Sequence, residues 1–226
     1  IQNRKNRQGR KADIKDQMNE LFDFIKTDDN EFNPRLFDFN REYKNLIVSI
    51  IKNCPEFSHI DSRRIAVSYS PAKTNSKYGL QAKIYPLRFE GGASEKIERG
   101  YRFKLQPLFH DGEEIFYLIA FCVPRFLNLG KAEKLETIAH ELFHISPRFN
   151  GDIRRLSGGG KSAHGSSKDI YDKFMEKIVQ RYLYSSDRPA LPKFLEFDYK
   201  KLKQVFLEIK FTKLKVPKIL VEKLEH

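Results

Sequence analysis

The sequence predicts an α+β fold, with a small, mostly antiparallel sheet packed on one helix and further helices on its N-terminal side. Three observations predict it: helical spacing of apolar residues as far as residue 55, strand-like alternation between 63 and 123, and helical spacing again from Lys131. With 40% hydrophobic residues, 19 Phe and 10 Tyr among 226 residues, the chain has enough apolar surface for a core of its own.

Residues 1–12, rich in Arg, Lys, Gln and Asn, read as a flexible basic arm. Ile14, Met18, Leu21 and Ile25 then mark one stripe of an amphipathic helix, stopped by Thr27-Asp28-Asp29-Asn30. A second helix follows from Tyr43, Leu46, Ile47, Ile50, Ile51 and Cys54 and ends at Pro55, closing a helical N-terminal part over 13–55. Between 63 and 123 the alternation of Ile65, Val67 and Tyr69 and the stretches 80–89, 101–109 and 115–123 predict three to four strands. Gly91-Gly92 and Asp111-Gly112 supply turns between them, the second a hairpin signal.

Leu135, Ile138, Ala139, Leu142 and Phe143 predict a helix from Lys131, and Pro147 disfavours helical geometry at Ser146, so the helix should end there. Asn150 to Gly165 is a loop with three successive glycines, Gly158 to Gly160. Ser166 or Ser167 can cap a helix running to about Tyr184 through Ile170, Phe174, Ile178 and Tyr182, so 131–184 forms a helical part. In the C-terminal extension, 190–226, Val205, Leu207, Ile209 and Phe211 alternate like a strand among lysines. Residues 13–226 are read as one domain.

Composition narrows the function classes. Lys plus Arg number 42 against 30 Asp plus Glu, a formal charge of +12, which favours polyanionic partners such as nucleic acid; dispersed lysines that merely solvate the surface fit equally well. Cys54 and Cys122 have no CxxC partner, which argues against a disulfide framework and a thiolate metal site and for a reducing, cytoplasmic compartment. No apolar run approaches the roughly 18 residues a membrane span needs, so no membrane partner is expected. Gly158 to Ser162 is not a phosphate-binding loop, because that pattern needs a glycine where Arg155 stands and a strand before it.

The chemistry concentrates in His140-Glu141-Leu142-Phe143-His144. Two histidines four apart on a helix rise by about 6 Å and share a face, so both imidazoles can bind one tetrahedral Zn2+. Glu141, beside them, can accept a proton from a water polarised by the ion and return it to a leaving amine. The bland alternative is a core helix whose histidines donate to backbone carbonyls. Zinc needs a third protein ligand and an open position for catalysis. The pattern HExxHxxGxxH fails, because Pro147 and Asn150 stand at its glycine and third histidine.

His164 is the best-placed third ligand: it follows the loop, precedes Gly165 and lies just before a helix. Glu176 is the alternative, with Asp152 and Asp169 behind it. His59 and His110 lie in turn-like surroundings, and His226, in a terminal Leu-Glu-His that resembles a tag remnant, is set aside. Asp152, Arg154 and Arg155 in the loop, and Asp172 in the next helix, can orient a ligand or steady an oxyanion or substrate; equally, the loop residues can pair with each other.

The run HELFHISPRFNGDIRRLSGGGKSAHGSSKDIYDKF resembles an uncharacterised family of phage and prokaryotic metallopeptidases, whose pattern is an HELxHI helix, a GD-R-R loop, an HG dipeptide and a tyrosine-aspartate pair. It is more distantly similar to SprT-like zinc proteases such as Spartan, where a third histidine follows in an HG dipeptide. Both resemblances imply a zincin-like fold, Zn2+ on His140, His144 and His164, Glu141 as general base, and a protein or peptide substrate. The close match runs from Thr137 to Phe174. The gap between His144 and His164 is longer than in SprT-like proteins, and no C-terminal zinc finger is present, so DNA-associated proteolysis rests on charge alone.

The expectation is therefore a zinc metallopeptidase. Its rivals are a basic nucleic-acid-binding module with a structural or inactive zinc site, and a deformylase-type hydrolase using Cys122, whose expected glycine and leucine neighbours are missing.

Overall fold

The computed structural model of the chain describes residues 36–74, 79–155 and 168–224, the side chains of 168–172 excepted. The basic arm, the helix expected over Ile14 to Ile25, His164, and the side chains of Asp169 and Asp172 lie outside the described residues.

Strand β1 (Leu36–Asp38) leads into helix α1 (Phe39–Asn53). Asp38 caps the helix by accepting the Arg41 N–H at 3.2 Å, satisfying one of the orphan donors of the first turn. Phe39, Tyr43, Leu46, Ile47, Ile50 and Ile51 form its buried stripe, and the helix stops before Pro55 as expected. Seven strands follow: β2 (Ile65–Pro71), β3 (Ala82–Pro86), β4 (Glu95–Glu98), β5 (Tyr101–Leu105), β6 (Leu108–His110), β7 (Glu113–Ile115) and β8 (Tyr117–Val123). Helices α2 (Lys131–Phe143), α3 (Lys168–Tyr184) and α4 (Tyr199–Val205) and strands β9 (Glu208–Lys210) and β10 (Ile219–Lys223) complete the order.

The fold is α+β, as expected, but among the described residues the single sheet of the sequence reading resolves into four small ones. In the central sheet β8 lies between β2, parallel to it, and β3, antiparallel. Both faces of β8 are covered, which is why its apolar run does not alternate. Ile65, Val67, Ile119, Phe121, Ala82 and Ile84 join the main core with α1, α2 and α3, while Ala66, Leu118, Leu87 and Ile115 form a smaller cluster behind. The β6–β7 hairpin turns at Asp111 (φ 51°) and Gly112 (φ 79°), the positive pair that its aspartate-glycine signal predicts.

The C-terminal part departs most from expectation. Its first half is helical: Asp198 accepts the Lys201 N–H at 2.6 Å and starts α4, which buries Leu202 and leaves only Glu208–Lys210 of the predicted strand. Strand β9 then pairs in parallel with β1, and β10 pairs antiparallel with β5. Strands β4 and β10 carry no apolar alternation that could announce them, because both are exposed on each face and held by backbone pairing. Lys134 on α2 is fully buried and donates to the carbonyls of Leu195 at 2.9 Å and Phe197 at 2.7 Å, tying the C-terminal segment to that helix. No described helix is long and apolar enough to cross a membrane.

Candidate metal centre and its cleft

Helix α2 presents two faces of different character. Leu135, Ile138, Ala139 and Leu142 enter the core. Glu133, Glu136, Thr137, His140 and Glu141, at spacings of three and one, form a second stripe that walls a cleft of about 710 Å³. Leu80, Gln81, Ala82, Leu129 and Met175 line its other sides.

His140 and His144 stand one turn apart, both half-buried, with ring centroids 4.7 Å apart and planes at 77°. Two imidazoles this close on one helix face fit a shared divalent ion. The helix ends at Phe143, three residues before the proline-based expectation, with His144 as its C-cap. The reason is tertiary. Arg154 donates its backbone N–H to the His144 carbonyl and its Nε to the Phe143 carbonyl, each at 2.7 Å, and its guanidinium lies 4.2 Å from the Phe143 ring centre. Ile145 bridges to Ile153, so the chain leaves the helix axis at once.

Glu141 is only 6% exposed. Burial pushes its pKa up from 4.5 to about 7, against the hydrogen bond from the Ile84 backbone N–H, which favours the charged form. The register of β3 explains that bond. Gln81 accepts the Cys122 N–H of β8 and Leu87 donates to the carbonyl of Phe116, just before that strand, so the alternation turns the backbone groups of Ala82 and Ile84 to the outer edge. Among the described residues no strand pairs with that edge.

The raised pKa has a stability consequence with a definite sign. Between 4.5 and about 7 the metal-free folded protein holds a proton that the unfolded chain has released, so stability falls as pH rises through that window. The full effect amounts to about 3 kcal/mol. Glu141→Gln removes it, so in chelator the variant should match the wild type near pH 4 and exceed it by about 3 kcal/mol near pH 8 in urea unfolding. A stability difference that does not change with pH would refute this.

The loop after α2 is organised around Asp152, 6% exposed. Burial raises its pKa, but bonds from Arg155, the Gly91 N–H and the Ile153 N–H outweigh that and hold it below the usual carboxylate range. Tyr117 reaches the same loop from β8: its hydroxyl donates to the Asp152 carbonyl at 2.8 Å and accepts the Gly151 N–H at 3.0 Å. Gly92, at φ 89°, lets the turn before β4 meet this loop, since a Cβ there would lie 2.9 Å from the Asn150 carbonyl oxygen. Arg154 and Asp152 thus hold the backbone that carries His144, and Arg155 pairs with Asp152 and Glu90.

The structure brings together His140, Glu141 and His144 at the end of α2, where Arg154 bonds the Phe143 and His144 carbonyls and the Asp152 carbonyl accepts the Ser146 N–H, while Arg155 contacts Asp152 and Glu90. His164 and the Asp172 side chain lie outside the described residues. Among the described residues no third His, Cys, Asp or Glu gathers with the histidine pair, and Glu176 is exposed on α3. His59 is half-buried, with its pKa lowered by burial and by Arg154, and His110 lies 3.5 Å from Asp111 in the hairpin. Cys54 and Cys122 are buried free thiols. Sequence reasoning missed Glu136, Tyr117 and the outer edge of β3. Only Glu136 had a signal, its place one turn before His140.

A comparison with known families matches residues 37–185 to the family described as "putative phage metallopeptidase". No curated protein and no solved structure matches the chain. The matched span runs from β1 to the end of α3, includes the histidine pair and Glu141, and covers well over half of the chain. The protein therefore belongs to the phage metallopeptidase family.

Proposed function

We propose that the protein is a zincin-like, zinc-dependent metallopeptidase that hydrolyses peptide bonds, with the ion held by His140, His144 and His164 and with Glu141 as general base. The observation that carries this reading is the pair of imidazoles 4.7 Å apart at the end of α2, the first of them on the cleft wall beside a carboxylate that is 6% exposed.

When bound, zinc supplies Lewis-acid polarisation and lowers the pKa of water toward about 7. Glu141 accepts the proton of the attacking water and delivers it to the departing amine, a task suited to a carboxyl group whose proton affinity burial has raised. The outer edge of β3 offers the Ala82 N–H and carbonyl to an extended substrate, which would add as a further strand over the cleft. Arg154, bonded to the last turn of α2, keeps His144 at the angle that the pair requires.

Purified protein is expected to contain about one zinc per chain by elemental analysis. It should cleave an unfolded protein substrate, lose that activity to a chelator, and regain it with added zinc. Metal-free protein that cleaves as well as loaded protein would overturn the reading.

A further inference from the structure

We propose that the protein forms a twofold homodimer in which strand β10 pairs antiparallel with β10 of a second copy, so that the three-stranded sheet of one chain continues into that of the other.

The sheet leaves this edge open. Strand β10 ends the order β10–β5–β4, and among the described residues no strand pairs with its outer side. Ile219, Leu220 and Val221 are 49%, 50% and 58% exposed, so apolar side chains meet water on both faces of the strand. An unpaired strand of that character is a template for a further strand. The opposite edge is guarded, because Glu95, Lys96 and Glu98 leave Ile97 the lone apolar residue of β4.

The backbone phase fixes what a partner meets. Leu220 pairs with Lys104 and Glu222 with Arg102 of β5, and the Leu224 N–H donates to the Gly100 carbonyl at 2.9 Å. Hydrogen-bonded pairs alternate along an antiparallel ladder, so Leu220 and Glu222 turn their backbone groups to β5, and Ile219 and Val221 turn theirs outward. With the twofold axis at Leu220, Ile219 exchanges hydrogen bonds with the partner's Val221, and Leu220 packs on the partner's Leu220 in the closer, non-hydrogen-bonded pairing. Lys218 then faces the partner's Glu222. The segment Lys218-Ile219-Leu220-Val221-Glu222 is thus complementary to its own reverse, apolar at the centre and opposite in charge at the ends. An axis at Val221 would set Leu220 against Glu222 and Ile219 against Lys223, and an axis at Ile219 would set Lys218 against Leu220, placing charge on apolar side chains. Glu222 already pairs with Arg102 at 3.1 Å, but its side chain is 66% exposed and a carboxylate accepts several donors, so the partner's Lys218 adds to that pair rather than replacing it.

The test is sedimentation equilibrium of the full chain from about 5 to about 500 μM, the range suited to the small, weak class of interface that two short strands make. The wild type should pass from monomer to dimer across it. Lys218→Glu and Glu222→Lys each set like charges against one another at both ends, and each alone should weaken the dimer at least about tenfold with circular dichroism unchanged. An equimolar mixture of the two variants should associate about as well as the wild type, since every facing pair is again opposite in charge. The register is read separately, with both charged residues in place: mild oxidation should link Leu220→Cys chains into a disulfide dimer far more readily than Ile219→Cys chains. A wild type that stays monomeric throughout overturns the proposal. So does a dimer that both single variants leave unweakened, or one that crosslinks through Ile219→Cys as readily as through Leu220→Cys.

Discussion

Glu141→Gln is expected to lower peptide-bond hydrolysis by about 10²–10⁴-fold, the usual contribution of a general base. The substitution suits the site because it keeps the shape. A glutamine carbonyl can still accept the Ile84 N–H that reaches Glu141, so the contact between α2 and β3 survives. What is lost is the ability to take a proton from water. Zinc content should stay at the wild-type level, because Glu141 lies beside the imidazole pair rather than in it. Steady-state kinetics on a peptide substrate with parallel zinc analysis decides the matter. Wild-type turnover in the variant would remove Glu141 from the chemistry, and loss of the metal would make it a ligand.

Removing an imidazole should act through the metal instead. His140→Ala, His144→Ala and His164→Ala are each expected to weaken zinc binding by more than the roughly 10–100-fold that loss of an outer-shell partner costs, and to abolish activity with it. Glu176→Gln should bind zinc like the wild type, since Glu176 is exposed and, among the described residues, no carboxylate joins the histidine pair. Competition with a chromophoric chelator measures all four variants on one scale. If His164→Ala keeps its zinc and Glu176→Gln loses it, the third ligand is a carboxylate and the His164 assignment is wrong. If His140→Ala and His144→Ala both keep it, the metal centre lies elsewhere.

The two predictions separate roles that share five residues of sequence. His140 and His144 point the same way because four residues make slightly more than one helical turn. Glu141 sits 100° from His140 around the helix and meets a different neighbour, the edge of β3, which burial and the Ile84 N–H make a distinct environment. One substitution is therefore expected to remove a proton acceptor and the other a ligand.

What the sequence determined by itself is whatever neighbours in the chain can decide. The stripe of α1 and its end before Pro55, the face of α2 that carries both histidines, and the positive-φ turn at Asp111-Gly112 all follow from interactions within a few residues. Only the tertiary structure decided the rest. The parallel pairing of β2 with β8 and the return of β9 to β1 and of β10 to β5 join backbone segments far apart in the chain. The early end of α2 depends on Arg154, and the outward edge of β3 on which of its residues bond to β8. Backbone hydrogen bonds between distant segments are much the same for most side chains, so no periodicity in the sequence announces them.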